Sequence, residues 1–281
     1  MKKYFLLVAF IFMVFSSPLR AQKTEIGLQL YSLRNEFKTG VPETLDLVES
    51  WGISEIEGGE TYGLTTDEFK RLLRDNKLKL VSVGADYKQL KEDPQSAIEN
   101  AKTFGAKYVV CFGIPHENDV FTVDHVKGAV EVFNKAGKLL AENGLSLCYH
   151  PHGYEFRPYQ GGTLFDFLVK ETDPRYLNFE MDVFWVKHPG HDPVALLKKY
   201  PRRFLLMHLK DRQHGTEGNQ NGHADVETNV VLGTGDVGIA EIMTEAKKAG
   251  VKHYFIEDES SRSVSQIPKS LEFLKARKTL H

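Results

Sequence analysis

Four side chains able to bind a divalent metal follow apolar segments at intervals along the second half of this 281-residue chain. Each alone has an ordinary explanation, because a histidine near a strand end is more often structural and an aspartate there often caps a helix. Imidazole with carboxylate suits Mn, Fe, Co, Ni or Zn, and carboxylate-rich sets favour Mn or Mg. As a set they predict one divalent metal ion (Mn, Mg, Co or Zn), held by His150, Asp182, His208 and Glu257.

Several further polar residues near the ends of predicted strands could move a proton. The candidates are Lys210, His152, Glu155 and Glu57. Lys210 stands two residues past His208, so both side chains would face the same way if the strand continues. A nearby metal would lower the pKa of Lys210 and make its neutral amine a usable base. A structural salt bridge from Lys210 to Asp211 or Glu180 is an equally open alternative.

Three residues are candidates for binding a substrate. Gln29 and Tyr31 follow the first predicted strand, and Trp185 could offer an apolar wall to one face of a sugar ring. Core packing is a nearly equal alternative for Trp185, because a large aromatic side chain is often part of the core.

The elements that must position these residues alternate between short apolar runs and amphipathic stretches. Eight strand–helix repeats favour a closed (β/α)8 TIM barrel over an open sheet, and in such barrels the active site lies at the C-terminal ends of the strands. The predicted strands are Ile26–Leu30, Ile53–Ile56, Leu78–Val83, Tyr108–Phe112, Leu145–Tyr149, Leu177–Met181, Phe204–Met207 and Tyr254–Ile256.

The predicted helices carry clear end signals. The longest is Val123–Glu142, with an apolar stripe at helical spacing and Asn143-Gly144 as its stop. Two other helices are expected to end at Gly105 and Gly250. The longest irregular segment, from Arg212 to Val231, is polar and could be a lid over the barrel mouth.

The first residues have the pattern of a secretory signal peptide. A basic start, a short apolar run from Leu6 to Phe15 and a small residue at Ala21 predict cleavage before Gln22. The run is too short to favour a membrane anchor. We therefore expect a signal peptide over 1–21 and a single barrel domain over 22–281, secreted and placed in the periplasm, with no membrane contact after cleavage.

Composition excludes some functions. Cleavage would change the formal charge from −2 to −5, with 33 basic and 38 acidic residues left, so the chain has no electrostatic footprint for nucleic acid. Cys111 and Cys148 lie within apolar runs and are expected to be buried strand residues rather than metal ligands. No G-x-G-x-x-G sequence follows the first strand, which gives no support to a dinucleotide fold. The oligomeric state stays open.

Seven segments carry a resemblance to a known family. In order they are GLQLYSLR (27–34), HPHGYEF (150–156), EMDVFW (180–185), GHDP (190–193), HLKD (208–211), LGTG (232–235) and IEDE (256–259). They resemble the sugar phosphate isomerase/epimerase family of xylose isomerase-like TIM barrels and span nearly all of the chain beyond residue 21. The resemblance is specific for the family and not for one activity.

The resemblance implies a metal at the ends of strands five to eight, with Asp182, His208 and Glu257 among its ligands. In many members the fifth-strand ligand is a glutamate that also acts as a base, and here the residue is His150. The change keeps a ligand and removes one carboxylate base. It puts a two-glutamate epimerase mechanism in doubt.

The expected function is metal-dependent removal of a proton next to a carbonyl, on an unphosphorylated keto-sugar or keto-glycoside. Isomerisation or epimerisation is the broader class, and β-elimination or hydration of a 3-keto-glycoside, a lyase or hydratase reaction, is modestly favoured. Export and the lack of a phosphate cradle argue against sugar phosphates. The alternatives are an abasic-site endonuclease, which would need a multi-metal cluster and a basic surface, and a non-catalytic carbohydrate-binding protein on a degenerate barrel.

Overall fold

The computed structural model describes residues 25–117 and 119–278. Eight parallel strands close into one barrel, and each pairs with its neighbours in sequence until β8 meets β1. The strands are β1 (Ile26–Gln29), β2 (Glu55–Gly58), β3 (Lys79–Gly84), β4 (Tyr108–Cys111), β5 (Ser146–Tyr149), β6 (Leu177–Asp182), β7 (Phe204–Leu209) and β8 (His253–Ile256). The predicted (β/α)8 barrel is confirmed. The predicted signal peptide, residues 1–21, lies outside the described residues.

The helices pack around the barrel, and their apolar faces form the main core with the outward-facing strand residues. They are α1 (Val41–Ser50), α2 (Thr66–Asp75), α3 (Tyr87–Glu92), α4 (Pro94–Phe104), α5 (Val123–Glu142), α6 (Leu164–Glu171), α7 (Val183–Lys187), α8 (Pro193–Lys199), α9 (Ile239–Ala249) and α10 (Ser263–Lys278). The predicted bounds of α5 are confirmed. Gly105 and Gly250 end α4 and α9 in the left-handed region, which a glycine adopts without steric cost. Among the described residues, no helix combines the length and apolar character needed to cross a membrane.

A second, smaller apolar cluster fills the barrel interior. Val81, Val110, Cys148, Leu206 and Phe255 form it, one from each of five strands. Both cysteines are buried and unpaired, as predicted. Because side chains on a strand alternate between two faces, the residues two positions further along also point inward and lie nearer the C-terminal mouth.

Two short antiparallel ribbons stand outside the barrel. Pro158–Tyr159 pairs with Gly162–Thr163, and Asp211–Arg212 pairs with Asn229–Val230. The second ribbon closes the base of the long segment after β7. Residues 213–228 therefore form a loop with fixed ends, although the sequence pattern predicted an irregular stretch from Arg212 to Val231.

Candidate active site

The two-residue repeat stacks polar side chains above the interior apolar cluster. Along β7 and the residue after it the order is Leu206, His208, Lys210, and along β5 and the three residues after it the order is Cys148, His150, His152. Pairing between adjacent strands then brings residues of β6 and β7 next to each other. The Cα of Asp182 is in register with that of His208. The predicted position of Lys210 on the same side as His208 follows from this repeat.

The four predicted metal ligands lie together at the ends of β5 to β8. The donor atoms of Asp182, His208 and Glu257 lie within 4.8 Å of one another. His150 Nε2 is 3.9 Å from Asp182 Oδ2, and His208 Nδ1 is 3.1 Å from Glu257 Oε2. All four residues are buried.

Two atoms in this group have no hydrogen-bond partner among the described residues, namely His150 Nε2 and Asp182 Oδ2. A buried polar atom without a partner is costly unless something else binds it. The donor set of two imidazoles and two carboxylates suits a divalent ion. The residues present therefore fit the predicted metal.

A carboxylate stands behind each of the two imidazoles. His150 Nδ1 is 3.0 Å from Glu180 Oε2, and His208 Nε2 is 2.6 Å from Glu57 Oε1. Such a carboxylate fixes which ring nitrogen carries the proton and leaves the other nitrogen free to bind a metal. The other nitrogens face the proposed ligands: His150 Nε2 lies 3.9 Å from Asp182 Oδ2, and His208 Nδ1 lies 3.1 Å from Glu257 Oε2.

Glu180 was not among the predicted site residues, although a signal for it existed. Glu180 and Asp182 are two residues apart on β6 and must face the same way. Glu180 also forms a second group with His150 and His208 whose donor atoms lie within 4.8 Å, and its Oε1 has no partner among the described residues. Burial and the carboxylate of Glu57 raise the pKa of Glu180 well above its ordinary value.

Glu57 and Glu155 are not brought to the barrel mouth. Glu57 is fully buried behind His208, where its carboxylate accepts hydrogen bonds from Gln29 Nε2 (2.8 Å) and from Ser82 Oγ. Glu155 accepts from the Tyr149 hydroxyl and from the backbone N–H of Gly153 (3.0 Å). Both carboxylates are thus placed to hold neighbouring groups in position.

Lys210 is almost fully buried and forms ion pairs at the centre of the site. Its Nζ lies 3.3 Å from Glu257 Oε2 and 3.9 Å from Asp182 Oδ2, and it also contacts Glu259. The alternative of a salt bridge named Asp211 or Glu180 as the partner, and the ion pairs that Lys210 forms are with other carboxylates. Asp211 instead accepts backbone N–H groups, including those of Gly233 and Gly235.

The lowering of the Lys210 pKa by a bound metal stays a prediction. Burial alone would lower this pKa, but Glu257, Glu259 and Asp182 together raise it well above the ordinary lysine value. These carboxylates therefore favour the ammonium form. Glu259 was not predicted as a partner, although it lies only two residues past Glu257.

A large cavity opens from the metal-binding group to the surface, with a volume of about 1530 Å³. His152 and Trp185 line it, and their ring centroids are 5.6 Å apart. Burial, and next the charge of Lys210, lower the pKa of His152 to about 4, so its imidazole is neutral. Trp185 is buried apart from the edge that meets the cavity, so it serves both the core and the site wall.

The predicted substrate-binding residues on β1 also line this cavity. Gln29 is buried at its floor and donates to Glu57, while Tyr31 is 53% exposed at its rim. Part of the loop over residues 213–228 covers one side: Gly222, His223, Ala224 and Val226 line the cavity. Arg157 holds this loop by two hydrogen bonds to the Gln220 carbonyl, of 2.9 and 3.0 Å.

Two relatives show the sequence similarity. The chain is 33% identical over 95 residues to an inosose dehydratase of Clostridium tetani (strain Massachusetts / E88), covering 34% of this chain and 31% of that protein. It is 27% identical over 179 residues to inosose dehydratase 2 of Bacillus cereus (strain ZK / E33L), covering 57% and 59%. The matches thus span less than two thirds of either relative.

Solved structures share the fold. A sugar phosphate isomerase/epimerase from Parabacteroides distasonis ATCC 8503 superposes with a TM-score of 0.75 at 24% identity, covering 90% of this chain and 94% of that one. The IOLI protein with a bound zinc atom superposes with a TM-score of 0.67 at 14% identity, covering 92% and 96%. The family model for the xylose isomerase-like TIM barrel matches residues 45–277. The chain therefore belongs to the xylose isomerase-like TIM barrel family.

Proposed function

We propose that this protein is a divalent-metal-dependent enzyme that removes a proton next to the carbonyl of an unphosphorylated keto-sugar and expels an oxygen substituent from the β-carbon. The observation that carries the proposal is the buried donor set at the ends of β5 to β8. His150 Nε2 and Asp182 Oδ2, which have no hydrogen-bond partner among the described residues, lie 3.9 Å apart.

His150, Asp182, His208 and Glu257 would hold the metal. A bound divalent ion would draw electron density from an adjacent carbonyl oxygen and so make the neighbouring C–H bond more acidic. The carboxylates of Glu180 and Glu57 keep the two imidazoles oriented for this task.

Two further side chains are placed to move the protons. His152 lines the cavity beside His150, with ring centroids 4.6 Å apart, and its neutral imidazole can accept the carbon-bound proton. Lys210, held by Glu257 and Glu259, can donate a hydrogen bond or a proton to oxygen. In this proposal Lys210 acts as the acid, whereas the sequence analysis named it as a candidate base.

The reaction would be an elimination. One base removes the proton, the electron pair forms a carbon–carbon double bond, and the β-oxygen leaves with its own electron pair and takes up a proton. When that oxygen is a hydroxyl, the reaction is a dehydration, and the relatives at 33% and 27% identity are named dehydratases. Epimerisation would need a proton-transfer group on each face of the carbon.

The proposal of an unphosphorylated substrate is supported by the charges around the cavity. Arg34, Lys38 and Lys88 line the cavity, and so do four acidic residues, Glu60, Asp86, Glu257 and Glu259. The basic residues do not outnumber the acidic ones, which argues against a cationic site for a phosphate. We also propose export through the segment at residues 1–21, which supports an unphosphorylated substrate because sugar phosphates are kept in the cytoplasm.

A matched pair of variants tests the proposal. Asp182 and Asp192 both cap helices through a side-chain oxygen, and asparagine preserves such a cap. In D2O, metal-loaded protein should exchange the proton next to the ketone of 3-ketoglucose and form an unsaturated product, both visible by NMR. D182N should lose both signals and bound metal, whereas D192N should keep them. Epimer formation without unsaturated product, or a clear preference for the 6-phosphate of the same sugar, would overturn the proposal.

A further inference from the structure

The cavity is larger than one sugar ring needs. Its volume of about 1530 Å³ exceeds the roughly 300–1,000 Å³ of ordinary small-molecule pockets. The proposed metal ligands come from β5 to β8 alone. The half of the cavity above β1 to β4 therefore has no part in the proposed chemistry.

Aromatic rings line this second half. Tyr31 is 53% exposed, with the Arg34 guanidinium 4.6 Å from its ring centroid. Tyr62 lines the cavity and stacks on Phe37, at 3.8 Å between centroids and 5° between planes. Phe112 joins the two halves, since its ring lies 5.4 Å from that of His150. Exposed tyrosines supply rigid apolar faces with a polar edge, on which a neutral ring can pack.

We infer that this half is a binding site for the leaving group of a keto-glycoside, and that the group is a neutral ring attached through the β-oxygen. The inference rests on the proposed function and adds a substrate class to it. Three basic and four acidic residues line the cavity, and with Glu257 assigned to the proposed metal the remaining three of each sign balance, which argues for an uncharged group. The aromatic faces argue for a ring rather than a short alkyl chain.

The step balances without a further reactant. In a 3-keto-glycoside, the C2 proton goes to the base and its electron pair forms the C1–C2 double bond. The C1–O bond breaks, the oxygen keeps that electron pair, and protonation releases an alcohol. The ring of this alcohol would lie against Tyr31 and Tyr62 while the ketone lies against the proposed metal ligands.

The test compares 2-phenylethyl and ethyl 3-keto-glucosides, whose leaving alcohols have similar acidity. The phenylethyl compound should have the lower KM. Tyr31→Ala should raise its KM about three- to tenfold, the size expected for one aromatic contact, and change the KM of the ethyl compound by a smaller factor. Tyr176→Ala is the matched control. Arg175 lies 5.0 Å from the centroid of the Tyr176 ring, and this pair precedes β6 at the other end of the barrel.

Equal KM values for the two glucosides, unaffected by Tyr31→Ala, would overturn the inference and leave elimination intact. A binding measurement keeps the two proposals separate. Saturation-transfer NMR with unoxidised 2-phenylethyl glucoside should show the phenyl protons in contact with the wild-type protein and with Tyr176→Ala, but much less with Tyr31→Ala. Phenyl contact without turnover of any keto-sugar would support the site and refute the elimination. No difference among the three proteins would refute the site.

Discussion

The hydrogen bond between Glu180 and His150 provides the sharpest test of the proposed metal site. Glu180→Gln keeps the size of the side chain and an oxygen that can accept from His150 Nδ1, but it removes a carboxyl group that can ionise when His150 binds a metal. Outer carboxylates of this kind typically contribute about 10- to 100-fold to metal affinity, or about 1.4 to 2.7 kcal/mol. The variant should weaken binding of Mn²⁺ or Zn²⁺ by this amount.

Glu55→Gln is the control for this variant. Glu55 Oε2 lies 2.7 Å from His253 Nδ1 and so forms the same kind of carboxylate–histidine pair, at the start of β2 and β8 rather than at their ends. Competition with a fluorescent chelator would give the metal dissociation constant for each protein. Glu55→Gln should leave that constant within about twofold of the wild-type value, because it removes a charge far from the proposed ligands.

Two results would refute the reasoning in different ways. If Glu180→Gln binds metal as tightly as the wild type, the carboxylate does not orient His150 for a metal. If the variant loses metal as completely as D182N does, Glu180 is itself a ligand, as the second donor group of His150, Glu180 and His208 would allow. Far-UV circular dichroism of each variant separates these cases from a simple loss of folding.

The remaining predictions concern other parts of the chain. Glu257→Ala should abolish both metal binding and turnover, and full metal content in the purified variant would show that the site assignment is wrong. Burial raises the pKa of Glu155 from 4.5 to about 7, so the folded state holds this proton more tightly than the unfolded state. That stabilisation is complete below pH 4.5 and is lost as the pH rises through about 7, by about 3 kcal/mol at most. In urea unfolding, Glu155→Gln should show a weaker pH dependence of stability across this range, and an unchanged slope would contradict the assignment. Mass spectrometry of the exported protein should find Gln22 at its N-terminus, whereas an intact Met1 would contradict the predicted cleavage.

The sequence predicted the barrel well because its signals are local. Alternation of apolar strands with amphipathic helices, and glycines at helix ends, depend on residues close together in the chain. β2 shows where such signals fail. The apolar run predicted Ile53–Ile56, whereas the strand is Glu55–Gly58. Glu57 is buried in the barrel because Gln29, Ser82 and His208 surround its carboxylate, and these partners are distant in sequence.

The site was predicted in outline for the same reason. Strand ends mark which residues reach the mouth, so the four proposed ligands and Lys210 could be found from their positions. The pairing of carboxylates with cations depends on the register between the barrel strands. No local sequence pattern shows that register. Lys210 therefore pairs with Glu257 and Glu259 from β8 and the residues after it, rather than with Asp211 or Glu180.

The placement of the proton-transfer groups bears on the choice between epimerisation and elimination. His152 and Lys210 both lie on the β5 to β7 side, next to the proposed metal ligands. Glu57, which could have served the other face, is held behind His208, while the lining above β1 to β4 combines aromatic rings with Arg34, Lys88, Glu60 and Asp86. In the proposed reaction, a substrate carbon held at the metal would meet its base and its acid from one side. Elimination suits that arrangement, because the proton and the leaving oxygen need separate groups but not opposite faces. Epimerisation would need a further proton-transfer group on the opposite face, where Glu60 and Asp86 are the carboxylates that line the cavity.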